Sequence, residues 1–238
     1  MTKAQVIITR ALPGAADTAS RLLEEGYTPL LSPALELIRI PVPNFDDSDF
    51  PQIIFTSANG VRFFCDASSN RNKIAWCVGP STARAARNAG FTDVREGAGN
   101  GEQLAALILA DPDSATTPLL HVANDAAAGK IVRTLNANDR KATFAALYTT
   151  RTASCLPSTT TDAMSGASRI IVLIHSAKGA TAFSELIEGK SLANCIIVAI
   201  SDVAVTPLKG KGASAIIIAA TPNEDALFQA LDTACLSL

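Results

Sequence analysis

Histidine, tyrosine and tryptophan are nearly missing from this chain, with two, two and one among 238 residues. The only histidines, His121 and His175, lie far apart and show no ligand spacing, so an imidazole-based zinc or iron site would need carboxylates that no motif supplies. The five cysteines, Cys65, Cys77, Cys155, Cys195 and Cys235, are odd in number, scattered and never in a CxxC pair. That argues against a disulfide framework or a zinc ribbon and reads as reduced core residues. No GxSxG nucleophile elbow occurs, and no P-loop is present. Neither sign of charge dominates: 20 Lys+Arg stand against 22 Asp+Glu, a net charge of −2. No global basic field therefore points to nucleic acid or an anionic membrane. No apolar run is long enough to span a bilayer, and no apolar h-region follows the single lysine of MTKAQVIITR. A soluble, cytoplasmic protein is expected.

Hydrophobic residues make up 48% of the chain and alternate between short β-rich runs and helical patterns. The length leans toward two domains. The stretch IIFTSANGVRFF, Ile53 to Phe64, joins a buried-type strand to a helix through Thr56, Ser57, Asn59 and Gly60, and IVLIHSAKGATAF, Ile171 to Phe183, repeats the design. Such junctions turn backbone N–H groups beyond the strand end. Other polar junctions follow apolar strands at Thr9-Arg10, Gly79 to Thr82, Ala123 to Asp125 and Ser201-Asp202. Strand-helix alternation predicts parallel sheets wrapped by helices, with ligands beyond the carboxyl ends of the strands. The polar, proline-spaced stretch from Ser32 to Phe50 reads as a connector, and Thr149 to Ser168 as the return crossing. The expected division is a discontinuous α/β domain of residues 1–36 plus 151–238 and an inserted α/β domain of residues 41–147. The last helix carries Thr221 as N-cap, Pro222 at its first position and Glu224 closing a capping box.

Each candidate for chemistry has a structural alternative. His121 lies inside an apolar strand, as a core histidine would, while His175 precedes a junction serine. The loop GAGNG, Gly97 to Gly101, follows a strand but has Glu102 where a dinucleotide fingerprint needs its third glycine, so it reads as a plain loop. Tyr148 ends an apolar strand, where it either anchors a hinge or donates a proton to a leaving group. Arg10, Arg62, Lys130, Arg151 and Lys178 all lie near strand ends, as solvated charges or as anion contacts.

Taken together, a strand ending in Thr9-Arg10, then FTSANGVRFF, VGPSTARAARNAG, a strand ending in Tyr148-Thr149-Thr150, and HSAKGATAF resemble the uroporphyrinogen-III synthase family over essentially the whole chain. The resemblance implies two flavodoxin-like parallel-sheet domains joined by a two-stranded connector, with the ligand cleft between them. It implies a lyase of tetrapyrrole (haem and sirohaem) biosynthesis that cyclises hydroxymethylbilane to uroporphyrinogen III with loss of water and inversion of the last pyrrole ring, using no metal or cofactor. The partner is then a polycarboxylate linear tetrapyrrole, with room for transient contact with the enzyme that makes it, and neither nucleic acid nor membrane. Carried over, Tyr148 assists departure of the hydroxyl. Thr9, Arg10, Thr56, Ser57, Ala58, Asn59, Gly60, Gly79, Thr82, Asn124, Lys130, Ser176, Ala177, Lys178 and Ser201 bind substrate. Two departures stand out: Ala123, Asn124 and Gly129-Lys130 replace a glycine-rich turn with an arginine, and Ala204 occupies the usual place of a threonine. Two other readings remain on the residues alone, a two-lobed small-molecule binding protein and a nucleotide-binding oxidoreductase.

Overall fold

The structure, a computed structural model, describes residues 3–127 and 129–236, so the outermost residues of the expected terminal domain lie outside the described residues. The chain forms two compact units, one of Met1–Leu37 with Arg151–Leu238 and one of Ile38–Thr150. In the first unit β1 (Gln5–Ile8), β2 (Thr28–Leu31), β9 (Ile170–Ile174), β10 (Cys195–Ala199) and β11 (Ala215–Ile218) form a parallel sheet of order β11-β10-β9-β1-β2. Its helices are α1 (Gly14–Glu24), α6 (Ser158–Ser165), α7 (Ala177–Leu186), α8 (Asp202–Val205) and α9 (Glu224–Cys235).

The central strands β9 (IIVLI) and β10 (CIIVA) are buried at every residue, as expected for a parallel sheet covered on both faces. The two-residue period then divides each run between two cores. Val172, Ile174 and Ile197 pack with Ala180 and Phe183 of α7, while Ile171, Leu173 and Val198 pack with Leu22 of α1 and Leu227 and Leu231 of α9. Each fully buried branched side chain contributes about 1.5–3 kcal/mol, so these strands can sit only at the centre.

The second unit holds β3 (Leu35–Arg39), β4 (Gln52–Phe55), β5 (Ile74–Cys77), β6 (Asp93–Glu96), β7 (Leu119–Asn124) and β8 (Ala142–Thr152), ordered β3-β8-β7-β4-β5-β6. The helices α2 (Ala58–Ala67), α3 (Pro80–Asn88), α4 (Gly101–Ala110) and α5 (Lys130–Asn136) follow β4, β5, β6 and β7. Ile54 and Trp76 pack with Leu104, Ile108 and Ile131 of α4 and α5, whereas Phe55 meets Phe64 of α2 and Phe91 edge to face. The chain passes between the units along β3 and β8.

Two local expectations change. The stretch read as connector contains β3, whose LELIR run becomes a strand by pairing at the sheet edge beside β8, and β8 itself runs four residues past Tyr148 to Thr152. The last helix starts two residues later than its proline suggests. Asn223 is the N-cap, accepting the Ala226 N–H at 2.9 Å, which puts Glu224 at the first helical position with its carboxylate turned elsewhere.

Candidate active site

In an open parallel sheet the ligand crevice lies where successive connections leave in opposite directions. In the first unit that point is between β1 and β9, and in the second between β4 and β7. The same local device occupies both. Ser57 caps α2 and accepts the Gly60 N–H at 3.1 Å, and Ser176 caps α7 and accepts the Gly179 N–H at 3.1 Å. Their backbones agree closely, with φ/ψ of −160°/156° and −164°/154°. A third serine, Ser201, caps α8 after the neighbouring strand β10, accepting the Ala204 N–H at 3.2 Å. In each case the cap satisfies the third N–H of the helix; after Ser57 and Ser176 the first two N–H groups, of Ala58 and Asn59 and of Ala177 and Lys178, lie at the strand end without an intrahelical acceptor.

Around the switch of the second unit the structure gathers Thr56, Ser57, Ala58, Asn59, Gly60, Asn124 and Tyr148. The Tyr148 hydroxyl lies 2.9 Å from Ser57 Oγ, and its ring stacks on Phe63 with centroids 4.6 Å apart and planes 10° from parallel. Burial pushes the phenol above its ordinary value, against hydrogen bonds from Ser57 and the Asn124 backbone and the nearby Arg62 charge. The proton therefore stays on the oxygen at neutral pH. Asn124 Nδ2 donates to Thr150 Oγ1 at 2.9 Å. Thr56 Oγ1 lies 3.1 Å from His121 Nε2, and burial alone pulls that imidazole down to about 4, which makes it a neutral core histidine. Gly60 is not an open donor, because its N–H is taken by Ser57, and a Cβ there would stand 2.7 Å from the Val122 carbonyl oxygen. Its role is to let α2 lie close to β7.

The remaining candidates of this unit are spread out. Gly79 caps α3 in extended backbone, 3.2 Å from Gly99 Cα were it to carry a Cβ, so the GAGNG loop is used to pack against the turn after β5. Thr82 is 4% exposed on the buried side of α3. Lys130 is exposed and paired with Glu102 at 3.1 Å; both line a cavity of about 640 Å³ with Thr56, His121 and Gly99.

At the switch of the first unit, Thr9 is buried and donates to the Leu173 carbonyl at 2.7 Å, which ties β1 to β9 rather than offering a hydroxyl to a ligand. Arg10, Ser176, Ala177 and Lys178 follow these two strands. Arg10 meets Thr18 and Glu224, and His175 Nε2 stands 3.6 Å from Glu224 Oε1. Burial would raise the Glu224 carboxyl, but His175, Thr18 and Arg10 outweigh it and hold the group down to about 2. The second phenol of the chain, Tyr27, is locked to Asp232 at 2.6 Å and is structural. Burial pushes the Cys77 thiol up to about 12 and Cys195 to about 11, which leaves neither as a nucleophile.

Glu224, Phe63 and Thr18 emerge only from the fold, since each meets its partner across a long sequence separation. Among the described residues no group of three His, Cys, Asp or Glu side chains is arranged to hold a metal ion, and no helix is long and apolar enough to cross a membrane.

Residues 16–229 match the model of the family described as uroporphyrinogen-III synthase HemD. No curated relative matches the chain. The fold is similar to the uroporphyrinogen-III synthetase of Helicobacter pylori, with a TM-score of 0.66 at 18% identity over 97% of this chain and 99% of that one. It is also similar to a mutant uroporphyrinogen III synthase of the extremely thermophilic bacterium Thermus thermophilus, with a TM-score of 0.50 at 15% identity over 98% and 99% of the two chains. The structural likeness carries the architecture, and the family match spans most of the sequence on which the two serine-capped switches stand: the chain belongs to the uroporphyrinogen-III synthase family.

Proposed function

We propose that the protein converts hydroxymethylbilane to uroporphyrinogen III, as a cofactor-independent lyase of the cytoplasm, with each compact unit acting as one domain. The observation that carries this reading is the recurrence of one serine-capped helix start at the topological switch of both sheets, in a chain that matches the family over residues 16–229. A flexible polycarboxylate needs several anion contacts to be held in one geometry, and first-turn N–H groups supply them without charged side chains. Ala58 and Asn59 serve one group of acetate or propionate substituents, and Ala177 and Lys178, with Arg10, serve another.

The reaction expels water and, to invert the last ring, forms two carbon–carbon bonds and breaks one, so it is redox-neutral and calls for no electron carrier. Hydroxide is a poor leaving group until a proton is donated to it. Tyr148, kept protonated by burial and backed by Ser57, is the donor in this scheme. The Gly60 N–H to Ser57 Oγ contact polarises that pair from the helix end. Transient contact with the enzyme that makes hydroxymethylbilane delivers the unstable substrate. The test is to generate hydroxymethylbilane in situ with the protein present, oxidise the products and separate the porphyrin isomers. Predominant isomer III is expected; isomer I alone, as in the uncatalysed closure, rejects the reading.

A further inference from the structure

Glu224 opens α9, yet the helix does not need it as a cap, because Asn223 already fills that role. Its carboxylate reaches back across the first unit instead. Oε2 accepts from Arg10 Nη1 at 3.3 Å, and Oε1 accepts from the Thr18 hydroxyl at 2.9 Å and faces His175 Nε2 at 3.6 Å. Arg10 Nη1 also reaches Thr18 Oγ1 at 3.3 Å, and Thr18 is 1% exposed. From another side the guanidinium lies on Gly14, where a Cβ would stand 2.8 Å from Cζ, Nε and Nη2. The arginine is therefore held by a carboxylate, a buried hydroxyl and a bare Cα. Among the described residues its polar protein contacts run through Nη1, which leaves the Nε/Nη2 edge for a ligand.

An ion pair whose partners are 36% and 35% exposed adds little stability. Fixed orientation is what the cluster does supply, and a guanidinium grips a carboxylate through two N–H groups only when its plane is set. We propose that Glu224, with Gly14 beneath the guanidinium, is the positioning residue that sets Arg10 at the β1/β9 switch to receive a carboxylate of the substrate. This role rests on the reading of Arg10 as a substrate contact. Glu224 itself touches no substrate; it acts through Arg10 and keeps His175 beside it.

The test compares wild type, Gly14→Ala, Glu224→Gln and Arg10→Ala, plus each of the first two substitutions in the Arg10→Ala background, with hydroxymethylbilane generated in situ. Gly14→Ala is the cleaner probe, because the atoms in its way are the end of a flexible side chain and the helix start tolerates alanine. Its melting temperature should stay within a few degrees of wild type. Gly14→Ala and Glu224→Gln should each raise KM about tenfold with kcat changed less than about threefold, and in the Arg10→Ala background each should change KM by less than about twofold. If wild type forms isomer III but KM is unchanged or falls in Gly14→Ala, or the effects persist in full without Arg10, the positioning role is wrong while the function stands. If wild type forms isomer I alone, the functional reading fails and the positioning role with it.

Discussion

The Tyr148 hydroxyl lies 2.9 Å from Ser57 Oγ, the same oxygen that accepts the Gly60 N–H at 3.1 Å. One serine thus starts a helix and supports a buried phenol. Tyr148→Phe keeps the stack on Phe63 and should cost only about 1 kcal/mol of stability for the lost hydrogen bond. If the phenol donates to the departing hydroxyl, kcat for isomer III should fall about 10- to 100-fold. Steady-state turnover beside a thermal melt separates the two, and an unchanged kcat would leave Tyr148 a purely structural residue.

The two echoed glycines should answer differently to the same substitution. A Cβ on Gly60 meets the Val122 carbonyl oxygen at 2.7 Å, a backbone atom that cannot step aside, whereas a Cβ on Gly179 meets only the Ser176 hydroxyl at 3.1 Å. Gly60→Ala should destabilise by about 2 kcal/mol or more, and Gly179→Ala by less than about 1 kcal/mol. Denaturant midpoints measured at constant m-value decide this, and equal losses would contradict the close approach of α2 to β7.

His121 sets a pH window. Burial lowers its folded pKa from 6.5 to about 4, so between those values the unfolded chain takes up a proton that the folded one refuses. Stability from this group is full above about pH 6.5 and is lost as pH falls toward about 4. His121→Phe should remove that part of the slope. Urea midpoints for both proteins at pH 7, 5.5 and 4 check it, and parallel curves across the window would refute the assignment.

Lys73 is buried and holds the loop before β4, donating to the carbonyls of Asp47 at 2.6 Å and Phe50 at 2.7 Å, with the Asp47 carboxylate 2.9 Å away. Lys73→Met strands a nearly buried carboxylate and two carbonyls, and should cost about 3–5 kcal/mol. Removing the carboxylate as well, in Lys73→Met/Asp47→Asn, should recover part of the loss. A denaturation series on the two variants measures both steps.

Much of the architecture was legible in the residues. The runs IIVLI and CIIVA could hardly be other than central strands, and Ser57 and Ser176 with glycine three positions on could be recognised as helix starts because a cap reaches only that far. The edge was harder to read. LELIR lies between prolines and becomes β3 only through β8, a partner more than 100 positions away, so local pattern gave it no support. Within the site, Gly60 looked like a ligand donor and proved to be a packing requirement, since no sequence pattern reveals the carbonyl that Val122 brings across it.

By itself, the sequence determined the central strands, the helix starts at Ser57 and Ser176 and that metal-ligand spacing is missing, because those properties depend on neighbours within about four positions. Tertiary structure alone decided which side chains meet. Ser57 and Tyr148 are 91 positions apart, and Arg10 and Glu224 are 214 apart. Their contacts exist because the strand order brings β4 to β7 and β8, and β1 to β9, and packs α9 where Glu224 reaches the strand ends. Strand order is a property of the whole chain's burial, and that is why the pairing of Ser57 with Tyr148 and of Glu224 with Arg10 follows only from the fold.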